Sequence, residues 1–69
     1  MDPDVNVTDL RDWSTFEQGG RVKTQRRAIF YIGTKYGPFT EYFDRDTFTL
    51  AELEARIALL RSNLPNNGL

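Results

Sequence analysis

The chain has 69 residues, with nine lysines and arginines against ten acids and neither cysteine nor histidine. A chain this short forms one domain and buries only about 60% of the surface its unfolded form exposes; with no cysteine or histidine to supply disulfides or a metal, a partner or self-association gains weight as a source of stability. The same two absences exclude Ser–His and Cys–His nucleophilic machinery within one chain.

In chain order, residues 1–7 read as a flexible arm. The opening Met-Asp-Pro-Asp has no basic n-region and no apolar h-region, which argues against a signal peptide. From Thr8 to Gln18, acids near the start, Leu10, Trp13 and Phe16 at a spacing of three, and Gly19-Gly20 as a stop predict a short helix. Arg21–Gln25 follows as an extension of the next strand or as a short third one.

Arg26–Ile32 and Phe39–Asp44 flank a loop with glycine near each end, which predicts a β-hairpin. Centring the loop on Lys35–Tyr36 sets Ile32 against Phe39, Phe30 against Glu41 and Ala28 against Phe43 on the core side. The other face then carries Ile29, Tyr31, Arg27, Thr40, Tyr42 and Asp44, because successive side chains alternate. Glu41 sits awkwardly on the core side, so either it lies at a rim beside an arginine or the register slips by one.

The clearest element is a helix over about Leu50–Asn63. Thr49-Leu50-Ala51-Glu52 spells a capping box, with Phe48 and Leu53 placed to form its hydrophobic staple. Leu50, Leu53, Ile57, Leu60 and Leu64 make one apolar stripe, read as core packing with a dimer seam as the alternative, and Glu52 and Arg56 are spaced to pair along the helix. Pro65 stops the helix and residues 65–69 form a flexible tail. The expected architecture is therefore α+β over residues 8–64: a short N-terminal helix, a hairpin that extends to a three-stranded antiparallel sheet if Arg21–Gln25 pairs, and a C-terminal amphipathic helix packed on it.

The near-zero net charge conceals a segregation. Residues 1–18 hold five acids and Arg11, residues 19–40 hold Arg21, Lys23, Arg26, Arg27 and Lys35 with no acid, and residues 41–69 hold five acids and three arginines. These balances of −4, +5 and −2 leave a local basic field in a chain of charge −1. Arg21, Lys23, Arg26 and Arg27 form the candidate charged contact, and Tyr31, Tyr36 and Tyr42 the amphipathic one, since tyrosine is favoured at interfaces. Alternation places Arg21 and Lys23 in a row about 7 Å apart, near the phosphate spacing of a single strand. Three destinations for the cluster stay open: a protein, a nucleic acid, or the acidic N-terminal segment of the same chain. Asp44 and Asp46 read as a solvated turn near the helix start rather than as cation ligands, and Gly33 and Gly37 lack the Gly-Lys-Ser/Thr of a phosphate loop. No catalytic, metal or cofactor residue is assigned, and no small-molecule substrate is expected. The longest apolar run, Ala28–Ile32, is far below the roughly 20 residues that cross a bilayer, so no membrane is expected either.

Gly20-Arg21-Val22-Lys23-Thr24, a hairpin, and then Phe48-Thr49-Leu50-Ala51-Glu52-Leu53-Glu54-Ala55-Arg56 together resemble the layout of the small phage head–tail joining (W-type) family over roughly residues 8–64. The hairpin is longer, the first helix shorter and the tail less basic than that family's pattern. The resemblance implies one helix–hairpin–helix domain and a virion assembly protein that docks as a ring between larger components; no site residue carries over. Phe48, Leu50 and Glu52 also resemble the helix start of integrase arm-binding DNA readers, in which a three-stranded sheet backed by a helix enters the major groove. The sequence thus predicts a non-enzymatic interaction or assembly protein of the cytoplasm or of a virion. A sheet-based DNA-binding module and a small inhibitor of a macromolecular machine are the alternatives.

Overall fold

A computed structural model describes residues 3–68. Its elements run β1 (Val5–Phe16), β2 (Val22–Ile32), β3 (Tyr36–Asp44) and α1 (Leu50–Ser62), followed by a 3-10 turn at Pro65–Gly68. The strands form one antiparallel sheet in the order β1-β2-β3, and α1 covers one of its faces. The α+β class, the hairpin, the third strand and the C-terminal helix are as expected. The N-terminal helix is not: Thr8–Phe16 belongs to β1.

The reason lies in two features that hid the strand's alternation. β1 pairs with β2 as Val5 with Ile32 and Val7 with Phe30, then shifts at Thr8 so that Leu10 faces Ala28 and Phe16 faces Val22. This bulge puts Val5, Val7 and Leu10 on one face although their spacings are two and three, and a bulge of one residue is what such a phase change requires. Leu10 and Phe16 therefore point to the helix side and Trp13 to the other. The glycines taken as a helix stop are the hairpin turn: Gly19 and Gly20 adopt φ of 92° and 84°, a region glycine enters without steric cost, and the Gly20 N–H donates to the Glu17 carbonyl at 3.1 Å.

Parts of the segments expected as an arm and a tail are placed against the rest of the fold. Residues 5–7 are paired in β1, the Gly33 N–H donates to the Asp4 carbonyl at 2.9 Å, and the Asp4 carboxylate meets Arg61 of α1 at 2.5 Å. At the other end Gly68 is buried against Ile32 and Leu64. Residues 1, 2 and 69 lie outside the described residues.

Between β2 and β3 the register differs from the expected one by two residues: Phe30 faces Phe39, Ala28 faces Glu41 and Arg26 faces Phe43. The turn closes earlier, at Gly33–Lys35, and Tyr36 enters β3 opposite Ile32. A shift of two preserves side-chain parity, so the two faces carry the expected residues. Ala28, Phe30, Ile32 and Phe43 form the core with Leu53 and Ile57 of α1, flanked by Val5, Val7, Leu10, Phe39, Phe48, Leu60 and Leu64. Glu41 sits at the rim, where Arg56 donates to it at 3.1 Å. Arg56 therefore bonds across to the sheet rather than along the helix to Glu52.

The helix begins as the capping box indicated, with the Thr49 hydroxyl accepting the Glu52 N–H at 3.2 Å. Leu53 and Ile57 of its stripe are buried, whereas Leu50 is exposed at the N-terminal end. Thirteen helical residues span about 20 Å, whereas the twelve residues of β1 span about 40 Å. The helix thus covers only half the long strands. The far half of β1 and β2, from Asp12–Arg26 to the turn, projects as a two-stranded ribbon, and the molecule measures 44 × 20 × 19 Å. Its accessible surface of 4932 Å² exceeds the ~4,450 Å² of a typical compact chain of this mass, as a projecting ribbon requires.

Candidate functional site

The sheet face turned away from α1 is uncovered. By register it carries Asp9, Arg11 and Trp13 of β1, Lys23, Gln25, Arg27, Ile29 and Tyr31 of β2, and Thr40 and Tyr42 of β3. Trp13, Tyr31 and Tyr42 are between 38% and 44% exposed, so each presents ring surface to solvent while part of the ring packs on its neighbours.

Arg27 organises this face. Its guanidinium carbon lies 4.0 Å from the centroid of the Trp13 ring, and its Nη2 donates to Asp9 at 3.0 Å. Arg11 donates to the other Asp9 oxygen at 2.8 Å. Hydrogen bonds from Arg11 and then Arg27 hold the Asp9 carboxyl below its ordinary value of 3.8, because they favour its charged form. The Arg27 Nε is buried with no hydrogen-bond partner, so the face of the guanidinium is used for stacking and one edge for charge.

The seven residues singled out in the sequence are thereby divided. Lys23, Arg27, Tyr31 and Tyr42 lie on the uncovered face. Arg26 and Tyr36 lie on the helix side, where Arg26 bonds Asp12 at 3.0 Å with its guanidinium 5.8 Å from the Phe48 ring, and Tyr36 packs partly buried against the core. Arg21 sits in the ribbon turn, its carbonyl accepting the Glu17 N–H at 2.7 Å. Arg26 and Arg27 are thus spent on the acidic N-terminal segment, the destination left open for them. Among the described residues Arg21, Lys23 and Lys35 have no ion-pair partner.

Three residues were not marked as candidates. Trp13 is the aromatic centre of the uncovered face, and Phe16 and Val22, 85% and 59% exposed, face each other near the ribbon tip on the helix side. The signal available for them was the symmetry of residues 9–29 about Gly19: Asp12 and Arg26, Phe16 and Val22 are equidistant from it. Asp44, considered as a cation ligand, turns its carboxylate onto the Asp46 N–H at 2.9 Å, and among the described residues no group of three carboxylates converges. Among the described residues no helix is long and apolar enough to cross a membrane. Comparison with protein-family models, curated proteins and solved structures found no match.

Proposed function

We propose that the chain is a non-enzymatic binding module that docks on a protein partner through the sheet face opposite α1. One observation carries this reading: the face joins exposed Trp13, Tyr31 and Tyr42 to Arg11 and Arg27, both of which are held in ion pairs with Asp9. Aromatic rings and arginine are the residues enriched at protein interfaces and at their energetic centres. A polyanion gains from unpaired cations instead, through counterion release. The unpaired cations here are split between the ribbon end of β2, with Arg21 and Lys23, and its opposite end, with Lys35, about 40 Å apart along an extended chain.

The module works in the cytoplasm. Assembly of a phage virion is the setting that the head–tail joining resemblance implies, and inhibition of a larger machine would use the same face. A second reading is favoured by the three-stranded sheet with a helix behind it and Lys23 on the open face, the arrangement expected of a groove-reading DNA module.

A photoreactive residue placed at Tyr42, or at the exposed Ala58 of α1 as a control, separates these readings in cells that make the protein. A discrete protein adduct from position 42 alone is expected, and Trp13→Ala should abolish it. Equal labelling from both positions would overturn the assignment of the face. Binding of a short duplex DNA with a steep salt dependence would replace the protein partner by a nucleic acid.

A further inference from the structure

The outer edge of β1 offers a straight run of backbone hydrogen-bonding groups. The Glu17 N–H donates to the Arg21 carbonyl at 2.7 Å, and from Asp9 to Phe16 the pairing with β2 runs without a shift. Antiparallel pairs alternate between residues that exchange bonds and residues that do not, so Asp9, Arg11, Trp13 and Thr15 turn their backbone groups to β2. Leu10, Asp12, Ser14 and Phe16 turn theirs outward. β1 ends the sheet on that side, and among the described residues no other backbone segment bonds those outward groups. The opposite edge is guarded in the ordinary ways, because β3 is shorter and its Pro38 has no N–H. Over Leu10–Phe16 β1 has neither a proline nor a bulge.

We propose that a second copy of the chain pairs with this edge, β1 against β1 and antiparallel about a two-fold axis through Trp13, joining the two sheets into one of six strands. The edge itself selects the register. An axis at Trp13 sets Leu10 against the partner's Phe16 and Asp12 against the partner's Ser14, and so engages every outward-turned residue of the run. An axis at Arg11 or Asp12 would set that residue against its own copy, like charge on like. An axis at Ser14 would leave Leu10 beyond the paired run and set the Asp12 carboxylate against the partner's Phe16. Nearer either end, the bulge at Thr8 or the Gly19-Gly20 turn cuts the pairing short. With the axis at Trp13 no like charges face each other within the run, and the side chains agree on both faces. On the open face the two Trp13 rings meet at the axis and Arg11 faces the partner's Thr15. On the helix side the exposed Phe16 lies beside the partner's Leu10, which packs against the core. Just beyond the run Asp9 comes opposite the partner's Glu17, and its charge is held by Arg11 and Arg27. One strand pair over Leu10–Phe16 buries less than about 1,200 Å², the weak end of specific interfaces, so the dimer is concentration dependent. The contact uses an edge and leaves Tyr31 and Tyr42 on the docking face of each copy, so its failure would leave that reading untouched.

Sedimentation of the full chain from micromolar to millimolar concentration should show the mass rising from 8.0 kDa to twice that value and no further. Cysteine trapping reads the register, because the chain has no cysteine of its own. At the axis the two Cα atoms lie about 4.5 Å apart, within disulfide reach, so Trp13→Cys should crosslink to a dimer under mild oxidation. Thr15→Cys, about 13 Å along the strand from its own copy, should not, but mixed with Arg11→Cys it should give the crosslink between the two variants. Ser14→Lys sets an opposite charge against the partner's Asp12 at two symmetric places and should tighten the dimer by about threefold or more, while Ser14→Asp should weaken it by a similar factor. Ser14→Pro removes an outward N–H without breaking the ladder to β2, and should abolish dimerisation with an unchanged circular dichroism spectrum. Should that variant unfold, the two opposite charges at Ser14 carry the test. A monomer at millimolar concentration, Thr15→Cys crosslinking to itself as readily as Trp13→Cys, Ser14→Lys and Ser14→Asp shifting the dimer in the same direction, a dimer that survives a folded Ser14→Pro, or a larger ring would each overturn the two-fold edge contact.

Discussion

Arg27 stacks on Trp13 at 4.0 Å and bonds Asp9 at 3.0 Å, so one side chain ties the middle of β2 to two residues of β1. Because the guanidinium is largely screened from water, its attraction to the indole is worth about 1–2 kcal/mol. A double-mutant cycle of Trp13→Ala and Arg27→Met in urea unfolding should return a coupling of that order. Additive losses would show that the guanidinium and the indole merely lie near each other.

Acid should weaken the fold through Asp9. Its carboxyl is held below 3.8 by Arg11 and Arg27, so the charged form stabilises the folded state above that pH, and the contribution is lost as pH falls below 3.8 through the folded-state value. The urea midpoint should therefore drop in this acidic window. Asp9→Asn should be less stable at neutral pH and should flatten the acidic part of the curve; an unchanged acid slope would assign the sensitivity to other carboxylates.

Leu53 is fully buried between α1 and the sheet. Leu53→Ala should cost about 2–5 kcal/mol, against a total stability of about 3–10 kcal/mol for a chain of this length. The variant should be partly or wholly unfolded by circular dichroism at room temperature. Leu59→Ala, two turns away on the exposed side, should shift the midpoint by less than about 0.5 kcal/mol.

Thr49→Ala removes the hydroxyl that accepts the Glu52 N–H. A loss of about 1 kcal/mol is expected, and Thr49→Ser should recover most of it. Failure of serine to rescue would point to the methyl group rather than the cap.

Gly33 has φ of 64° and stands so close to Gly68 that a Cβ would meet the Gly68 carbonyl oxygen. Gly33→Ala should destabilise by more than about 1 kcal/mol, since both the backbone conformation and the space disfavour it. Gly19→Ala meets no neighbour and suffers only the conformational strain, so it should lose less.

Local chemistry made the position and start of α1 legible, since the Thr49 cap, the Leu53 and Ile57 stripe and the Pro65 stop act within a few residues of chain, whereas the exposure of Leu50 and the pairing of Arg56 with Glu41 were decided by the sheet. The two faces of the β2–β3 hairpin were legible for a similar reason, because parity survives a register error of two residues while the pairing of individual residues does not. The Thr8–Phe16 strand was obscured because a bulge at Thr8 moved the apolar residues from a period of two to a spacing that mimics a helix, and only pairing with β2 resolves which applies. The basic cluster was visible as composition, but composition cannot assign partners. Asp9 and Asp12 reach Arg27 and Arg26 across the sheet, at sequence separations where only the antiparallel register decides who meets whom.

Short-range pattern and residue type were enough for the α+β class, the helix and its cap, the core side of the sheet and the absence of histidine and cysteine chemistry. Long-range pairing was needed to decide that the acidic N-terminal segment is a strand, that it pairs with Arg26 and Arg27, and that a 20 Å helix leaves the far half of the 40 Å β1 and one whole sheet face uncovered. Those exposed surfaces depend on the relative lengths and register of elements distant in the chain, and they are where the binding of this protein is to be sought.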